Sequence, residues 1–206
     1  MQDLLGLPAS SETLWTYVHA LGNGSGNITK SLPRVYPDCV YYNYPQLGLS
    51  LLFKPTEGYK LDPKAAAADL DLTRLKLDGI DMFNAIGESE NDASRTADKL
   101  YKPFTHLPLT LQLSSTNETS STSEPFSLVA GTTGKDLVSA LGEPARKGGG
   151  GGPSGGGIAI WCDWPVHGIM IEFGGPDSKG PKAWEAGKDA RWAILSVYTP
   201  NKQGKA

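Results

Sequence analysis

The chain repeats its own pattern, and no other feature restricts its fold as much. The segment YYNYPQLGLSLLF (41–53) lies over WCDWPVHGIMIEF (161–173) at an offset of 120 residues. Pro45 meets Pro165, Gly48 meets Gly168 and Phe53 meets Phe173. Tyr41 and Tyr44 meet Trp161 and Trp164, Asn43 meets Asp163, and Leu49 and Leu51 meet Ile169 and Ile171. Upstream the same offset aligns Val18, Leu21 and Gly22 with Val138, Leu141 and Gly142. Downstream it slips to 118 at Pro63-Lys64-Ala65 and Pro181-Lys182-Ala183. It slips again to 115, where Leu77, Ile80, Met82 and Phe83 meet Trp192, Leu195, Val197 and Tyr198. Small loop insertions cause such slippage. Three blocks in one order mark a duplicated unit.

Each copy reads as helix, hairpin, short helix, strand. In the first, Ser10 or Ser11 caps a helix with Glu12 in its first turn and a stripe of Leu14, Val18 and Leu21. Gly22 supplies its left-handed stop. In the second, Thr132 or Thr133 caps, Leu137, Val138 and Leu141 face inward, Gly142 stops and Pro144 blocks continuation. The hairpin has an aromatic, β-branched first strand and a Pro-x-x-Gly turn. Its second strand alternates, so Leu49, Leu51 and Phe53 share a face, as do Ile169, Ile171 and Phe173. A short helix is expected over 64–70 and 181–187, and a last strand over 77–83 and 193–198.

The copies occupy 1–84 and 130–206. Between them, 85–129 holds a polar stretch (87–97) and an alternating leucine strand over 105–113, kept to an edge by Pro108. A Ser/Thr-rich linker, SSTNETSSTSE (114–124), follows. A second flexible connector, KGGGGGPSGGG (147–157), lies inside the second copy. One copy of about 70 residues with three strands is a marginal core. Two side by side bury each other's edges. The expected fold is therefore α+β: two similar helix–hairpin–helix–strand repeats forming one antiparallel sheet with helices on one face.

Composition excludes several classes. With 39% hydrophobic residues the chain is too apolar for a disordered one, and 25 glycines with 15 prolines make it loop-rich. A net charge of −3 supplies no basic field for nucleic acid or anionic membranes. Only Cys39 and Cys162 are present, which suits reduced thiols in the cytoplasm better than a secreted disulfide scaffold. The start MQDLLGLP has no basic region and is broken by Gly6 and Pro8, so no signal peptide is expected. No window approaches about 18 apolar residues, so no membrane span is expected. The sequons at Asn23, Asn27 and Asn117 are read as chance in Ser/Thr/Gly-rich stretches.

The helix end Leu141-Gly142-Glu143-Pro144, the aromatic strand and the pattern Gly-Ile-x-Ile-x-Phe (168–173) resemble the β-lactamase-inhibitory-protein-like repeat. The first copy keeps Leu21-Gly22 without the proline. The segment NYPQLGLSLLF (43–53) is similar to the phagosome assembly factor family of eukaryotic intracellular proteins. The resemblance covers 10–84 and 130–199. It implies a sheet with helices on one face and a non-enzymatic binding or adaptor role. It carries over no functional residue.

Four groups of residues are candidate sites. Cys162, Asp163 and His167 sit close enough in sequence to suggest a Cys–His nucleophile. The other copy has Tyr42 and Leu47 at the Cys162 and His167 positions, so a strand cysteine beside a turn histidine is the better reading. Gly131-Thr132-Thr133-Gly134-Lys135 has two residues between its glycines where a phosphate loop needs four, and Asp136 follows the lysine. It reads as a capped helix start. Asp69, Asp71, Asp78 and Asp81 lack a metal-loop pattern and His19, His106 and His167 are scattered, so no metal is expected and the acids read as a solvated face. Tyr41, Tyr44, Trp161 and Trp164, with Trp184 and Trp192, form an aromatic set suited to core or binding surface.

The expected function is a non-enzymatic protein-interaction or adaptor module without cofactor. It would bind another protein through the open sheet face at Tyr41, Tyr44, Trp161, Asp163, Trp164 and His167. Nucleic acid is not an expected partner, and any peripheral membrane contact would come through the protein partner. The alternative is a small-ligand or lipid-head-group carrier using the aromatic face.

Overall fold

Period-two alternation builds most of the structure. A computed structural model describes residues 1–22, 31–84, 101–113, 125–151 and 158–201. The first half holds α1 (Glu12–Gly22), β1 (Arg34–Val35), β2 (Val40–Tyr44), β3 (Leu49–Pro55) and β4 (Leu75–Phe83). The middle holds β5 (Leu109–Leu111) and β6 (Phe126–Leu128). The second half holds α2 (Gly134–Leu141), β7 (Arg146–Gly148), β8 (Trp161–Trp164), β9 (Ile169–Phe173), α3 (Ala183–Ala186) and β10 (Trp192–Tyr198). Eight strands form one antiparallel sheet in the order β1-β2-β3-β4-β10-β9-β8-β7, so the fold is α+β. The two edge strands are two and three residues long, which limits edge-to-edge pairing.

The sheet's centre is the β4–β10 pair, where Ile80, Asp81 and Met82 face Val197, Ser196 and Leu195. The hairpins on either side close on matching contacts. The Gly48 and Gly168 N–H groups donate to the Pro45 and Pro165 carbonyls, and both glycines are left-handed, with φ of 62° and 65°. Phe83 N–H donates to the Gly48 carbonyl and Tyr198 N–H to the Gly168 carbonyl, both at 2.9 Å. Lys102 N–H donates to Pro45 and Asn201 N–H to Pro165, both at 2.8 Å. Isolated bridges pair Pro8 with Lys76, at the start of β4, and Thr133 with Arg191, just before β10.

The helices cover one face. Leu14, Val18 and Leu21 of α1 are buried, and Trp15 packs edge-on to Tyr42 and stacked on Phe53 at 5.3 and 6.2 Å. Leu137 and Leu141 of α2 are buried, and the Trp164 indole donates to the Gly142 carbonyl at 2.9 Å. Thr133 caps α2 through reciprocal bonds with Asp136. The buried residues of both halves belong to one cluster, with Trp192 wholly buried near the seam. The Trp192 indole donates to the Val129 carbonyl, and the buried Asn84 amide donates to the Ala130 and Trp192 carbonyls. Those bonds tie the segment before α2 to β10.

Several expectations need correction. The strand expected over 105–113 is only Leu109–Leu111, and it pairs with β6 in a separate ribbon. Pro108 lacks the N–H that would extend it. The helix expected over 64–70 is a single 3₁₀ turn, Ala67–Asp69, and that over 181–187 is the one-turn α3. Such short segments yield too few backbone bonds to offset helix nucleation. The connector expected from Lys147 begins as strand, because Arg146–Gly148 pairs with β8. The polar stretch 87–97, the linker 114–124, the three sequons and the glycine run beyond 151 lie outside the described residues.

A Cβ on Gly168 would run into the Tyr198 carbonyl oxygen. Gly6 is also left-handed, with φ of 81°, but a Cβ there would meet nothing within 4 Å. Gly168→Ala is therefore expected to cost about 2–4 kcal/mol, strain plus displaced backbone, against about 1 kcal/mol for Gly6→Ala. Urea midpoints of the two variants measure the difference.

Candidate functional site

Alternation places every second strand residue on the face that no helix covers. Across this face runs one cross-strand row: Asn43, Ser50, Asp81, Ser196, Met170, Asp163 and Arg146. In β3, β4 and β10 a polar residue stands between two buried apolar ones: Ser50 between Leu49 and Leu51, Asp81 between Ile80 and Met82, Ser196 between Leu195 and Val197. The row is internally bonded. Ser50 Oγ donates to Asn43 Oδ1 at 2.8 Å, and Ser196 Oγ donates to Asp81 Oδ1 at 2.7 Å.

At its far end Arg146 Nε, at 2.8 Å, and Nη2, at 2.5 Å, both approach Oδ2 of the buried Asp163 carboxylate, whose Oδ1 accepts the Tyr198 hydroxyl. The Asp163 bond and charge hold the Arg146 guanidinium above its ordinary range. Burial, then the bond and charge of Asp163, push the Tyr198 phenol up. Asp81 takes its bond from a hydroxyl, Ser196, where Asp163 meets a guanidinium. Burial raises the Asp81 carboxyl above the ordinary range and the Ser196 bond only partly offsets that.

Around the row stand Tyr41, Leu52, Phe83, Ile194 and Trp161. Phe83 is stacked on Tyr101 with ring centroids 3.8 Å apart. Two open basins share Tyr41, Asp81 and Phe83. One, of about 480 Å³, reaches Arg34, Cys39 and Tyr101; the other, of about 350 Å³, reaches Met170, Glu172 and Tyr198. Both are shallow.

The six residues named from sequence fall on two sides. Tyr41, Trp161 and Asp163 lie on the bare face, with Trp161 opposite Gly148, whose missing Cβ leaves room for the indole. Tyr44, Trp164 and His167 are buried at 7%, 3% and 5% exposure. Trp164 bonds to α2, and the His167 ring bonds to the Leu141 backbone. Cys162 and Asp163 point to opposite faces, so the Cys–Asp–His group does not assemble. The Gly131–Lys135 stretch is a capped helix start whose Gly134 and Lys135 N–H groups bond to the Ala190 and Lys188 carbonyls.

The solvated-face reading of the acids suits Asp71, which bonds Thr73, and Asp78, which pairs with Lys54 at 2.7 Å. It fails for the half-buried Asp81. Sequence reasoning missed the row itself, although a polar residue flanked by core residues in three strands was its signal. Among the described residues, no helix is long and apolar enough to cross a membrane, and no three His, Cys, Asp or Glu gather as metal ligands. No protein-family model, curated protein or solved structure matches the chain.

Burial lowers the His167 pKa, and its bond to Leu141 opposes this only in part. The unfolded chain therefore binds the proton more readily. The stability His167 contributes is whole above about pH 6.5 and is lost as pH falls through the lowered folded value. His167→Gln should shrink the drop in urea midpoint between pH 7.5 and pH 5.5. An unchanged drop would contradict this assignment.

Proposed function

We propose that this protein is a non-enzymatic, cytoplasmic interaction module that docks a partner protein on the bare face of its sheet. The observation that carries the reading is the asymmetry of the sheet. One face is covered by helices; the other presents half-buried aromatic and aliphatic side chains around an ordered polar row. A large antiparallel sheet tolerates one solvated face. A solvated face would be expected to carry mainly charged residues, whereas this one interleaves Asp78, Asp81 and Glu172 with half-buried Tyr41, Leu52, Trp161, Met170 and Ile194. Aromatic and Met-rich surfaces are favoured at interfaces. The basins are shallow, which suits a broad partner better than an enclosed ligand. The net charge of −3 argues against nucleic acid.

The same proposal includes the architecture: a duplicated helix–hairpin–helix–strand unit, like tandem β-lactamase-inhibitory-protein-like repeats, with its halves related by a two-fold normal to the sheet. Support comes from the seam. Residues 115 apart in the alignment, Asp81 and Ser196, face each other, and Ile80 and Met82 face Val197 and Leu195 in exchanged order. The bridges at Lys76 and Arg191 are also 115 apart. The paired bonds at Gly48 and Gly168, and at Pro45 and Pro165, point the same way. The similarity to the phagosome assembly factor family agrees with an adaptor role.

Charge placed in the centre of the bare face tests the reading. Met170→Glu or Ile194→Glu should weaken a captured partner at least about tenfold, the scale of losing an interface anchor. Thr13→Glu, on the exposed side of α1, should leave it unchanged. Binding that ignores both face variants, or a chain that retains no partner, would contradict the proposal.

A further inference from the structure

The helix side of the second half contains a cleft that the bare-face reading does not use. It lies between α2, α3 and β8, opens to solvent, has a volume of about 310 Å³, and sits at the small end of the range for ligand sites. Its floor is Ile160, Cys162 and Phe173, all buried. Val138 and the exposed ring of Trp184 form walls, and Lys147 holds its ammonium 5.8 Å from the Trp184 ring centre. Lys135 and Lys188 complete the rim, with Glu143 the one carboxylate among the lining residues. In a chain of net charge −3, this is a local excess of positive charge beside an apolar floor.

The first half holds a cleft of about 490 Å³ at the corresponding place, lined by Trp15, Val18, Tyr42, Tyr44 and Leu72 and by no lysine. At the 120-residue offset, Trp15, Tyr42 and Phe53 correspond to Lys135, Cys162 and Phe173. In the first half the three rings pack together, and Phe53 is sealed beneath Trp15 and Tyr42. In the second, a lysine and a thiol replace two large rings, and the Phe173 ring lines open space. That comparison rests on the duplication proposed above; the lining of the cleft does not.

We infer that this cleft binds a small amphiphilic anion, its apolar body over Cys162 and Phe173 against Trp184 and its charge toward Lys135, Lys147 and Lys188. Lysines with apolar stems suit such a ligand, since the stem covers apolar surface while the ammonium stays at the rim. The Cys162 thiol is pushed up to about 11, mainly by burial, with Lys147 pulling it down and Glu143 pushing it up. It therefore stays neutral at physiological pH and acts as a small apolar floor residue.

Calorimetric titration of the full chain with 1-naphthoate tests the inference. Saturable submillimolar binding is expected, and naphthalene-1-methanol, which has a similar body and no charge, should bind at least about tenfold more weakly. The paired Lys147→Ala and Lys188→Ala substitutions should bring a similar loss, and salt should weaken the naphthoate. Val138→Phe, which fills the cleft from its wall, and Cys162→Leu, which fills it from the floor, should abolish binding while leaving the urea midpoint measurable. No saturation, equal binding of the neutral alcohol, or indifference to Val138→Phe would overturn the site. Met170→Glu on the bare face should leave naphthoate binding intact, so failure of the cleft and failure of the interaction face are separate outcomes.

Discussion

The pairing of β4 with β10 is the interaction on which the rest depends. It joins four strands from each half into one sheet and lets both halves share a single buried cluster. Without it, each half would present a long apolar strand as an open edge. A small sheet with one short helix buries too little surface to offset the entropy of ordering its chain. The seam is reinforced from the helix side by Trp192 and Asn84, whose bonds reach the segment leading into α2. At its centre on the bare side sits the Asp81–Ser196 bond.

Once the sheet is joined, its two faces take on different chemistry. The helix side is a packed core with a cleft in each half, the second rimmed by lysines. The bare side carries three bonded polar pairs, Asn43–Ser50, Asp81–Ser196 and Asp163–Arg146, which fix side-chain positions on six strands. A fixed row beside half-buried aromatic rings is a pre-organised surface, which lowers the ordering cost of association. The buried Asp163 group anchors one end of that row, and Asp81, bonded to Ser196, lies near its middle.

Much of this was legible in the residues. The offset of 120, with Pro45/Pro165 and Gly48/Gly168, anticipated two like hairpins, and the strand expected over 77–83 lies within β4. The alternation of Leu49, Leu51 and Phe53 correctly marked the helix-facing side. The site was less legible. In 41–44 and 161–164 aromatic residues fall on both sides of the strand, so alternation alone does not separate Tyr41 from Tyr44 or Trp161 from Trp164. Burial separates them only after α1 and α2 are in place. Arg146–Gly148 was hidden because glycine-rich sequence reads as loop, while its strand character comes from pairing with β8. The β5–β6 ribbon depends on a partner, Phe126–Leu128, that carries too few residues to show a period.

Native-state amide exchange across the seam tests the central claim most directly. If β4 and β10 hold one sheet together, the Ile80, Met82, Leu195 and Val197 amides that bond across the seam should open only with global unfolding. Their exchange free energies should match those of seam-remote core amides in β3 and β9 and fall with the same urea dependence. Seam amides that exchange through a separate, lower-energy opening, while β3 and β9 stay protected, would show two units merely touching and contradict the account.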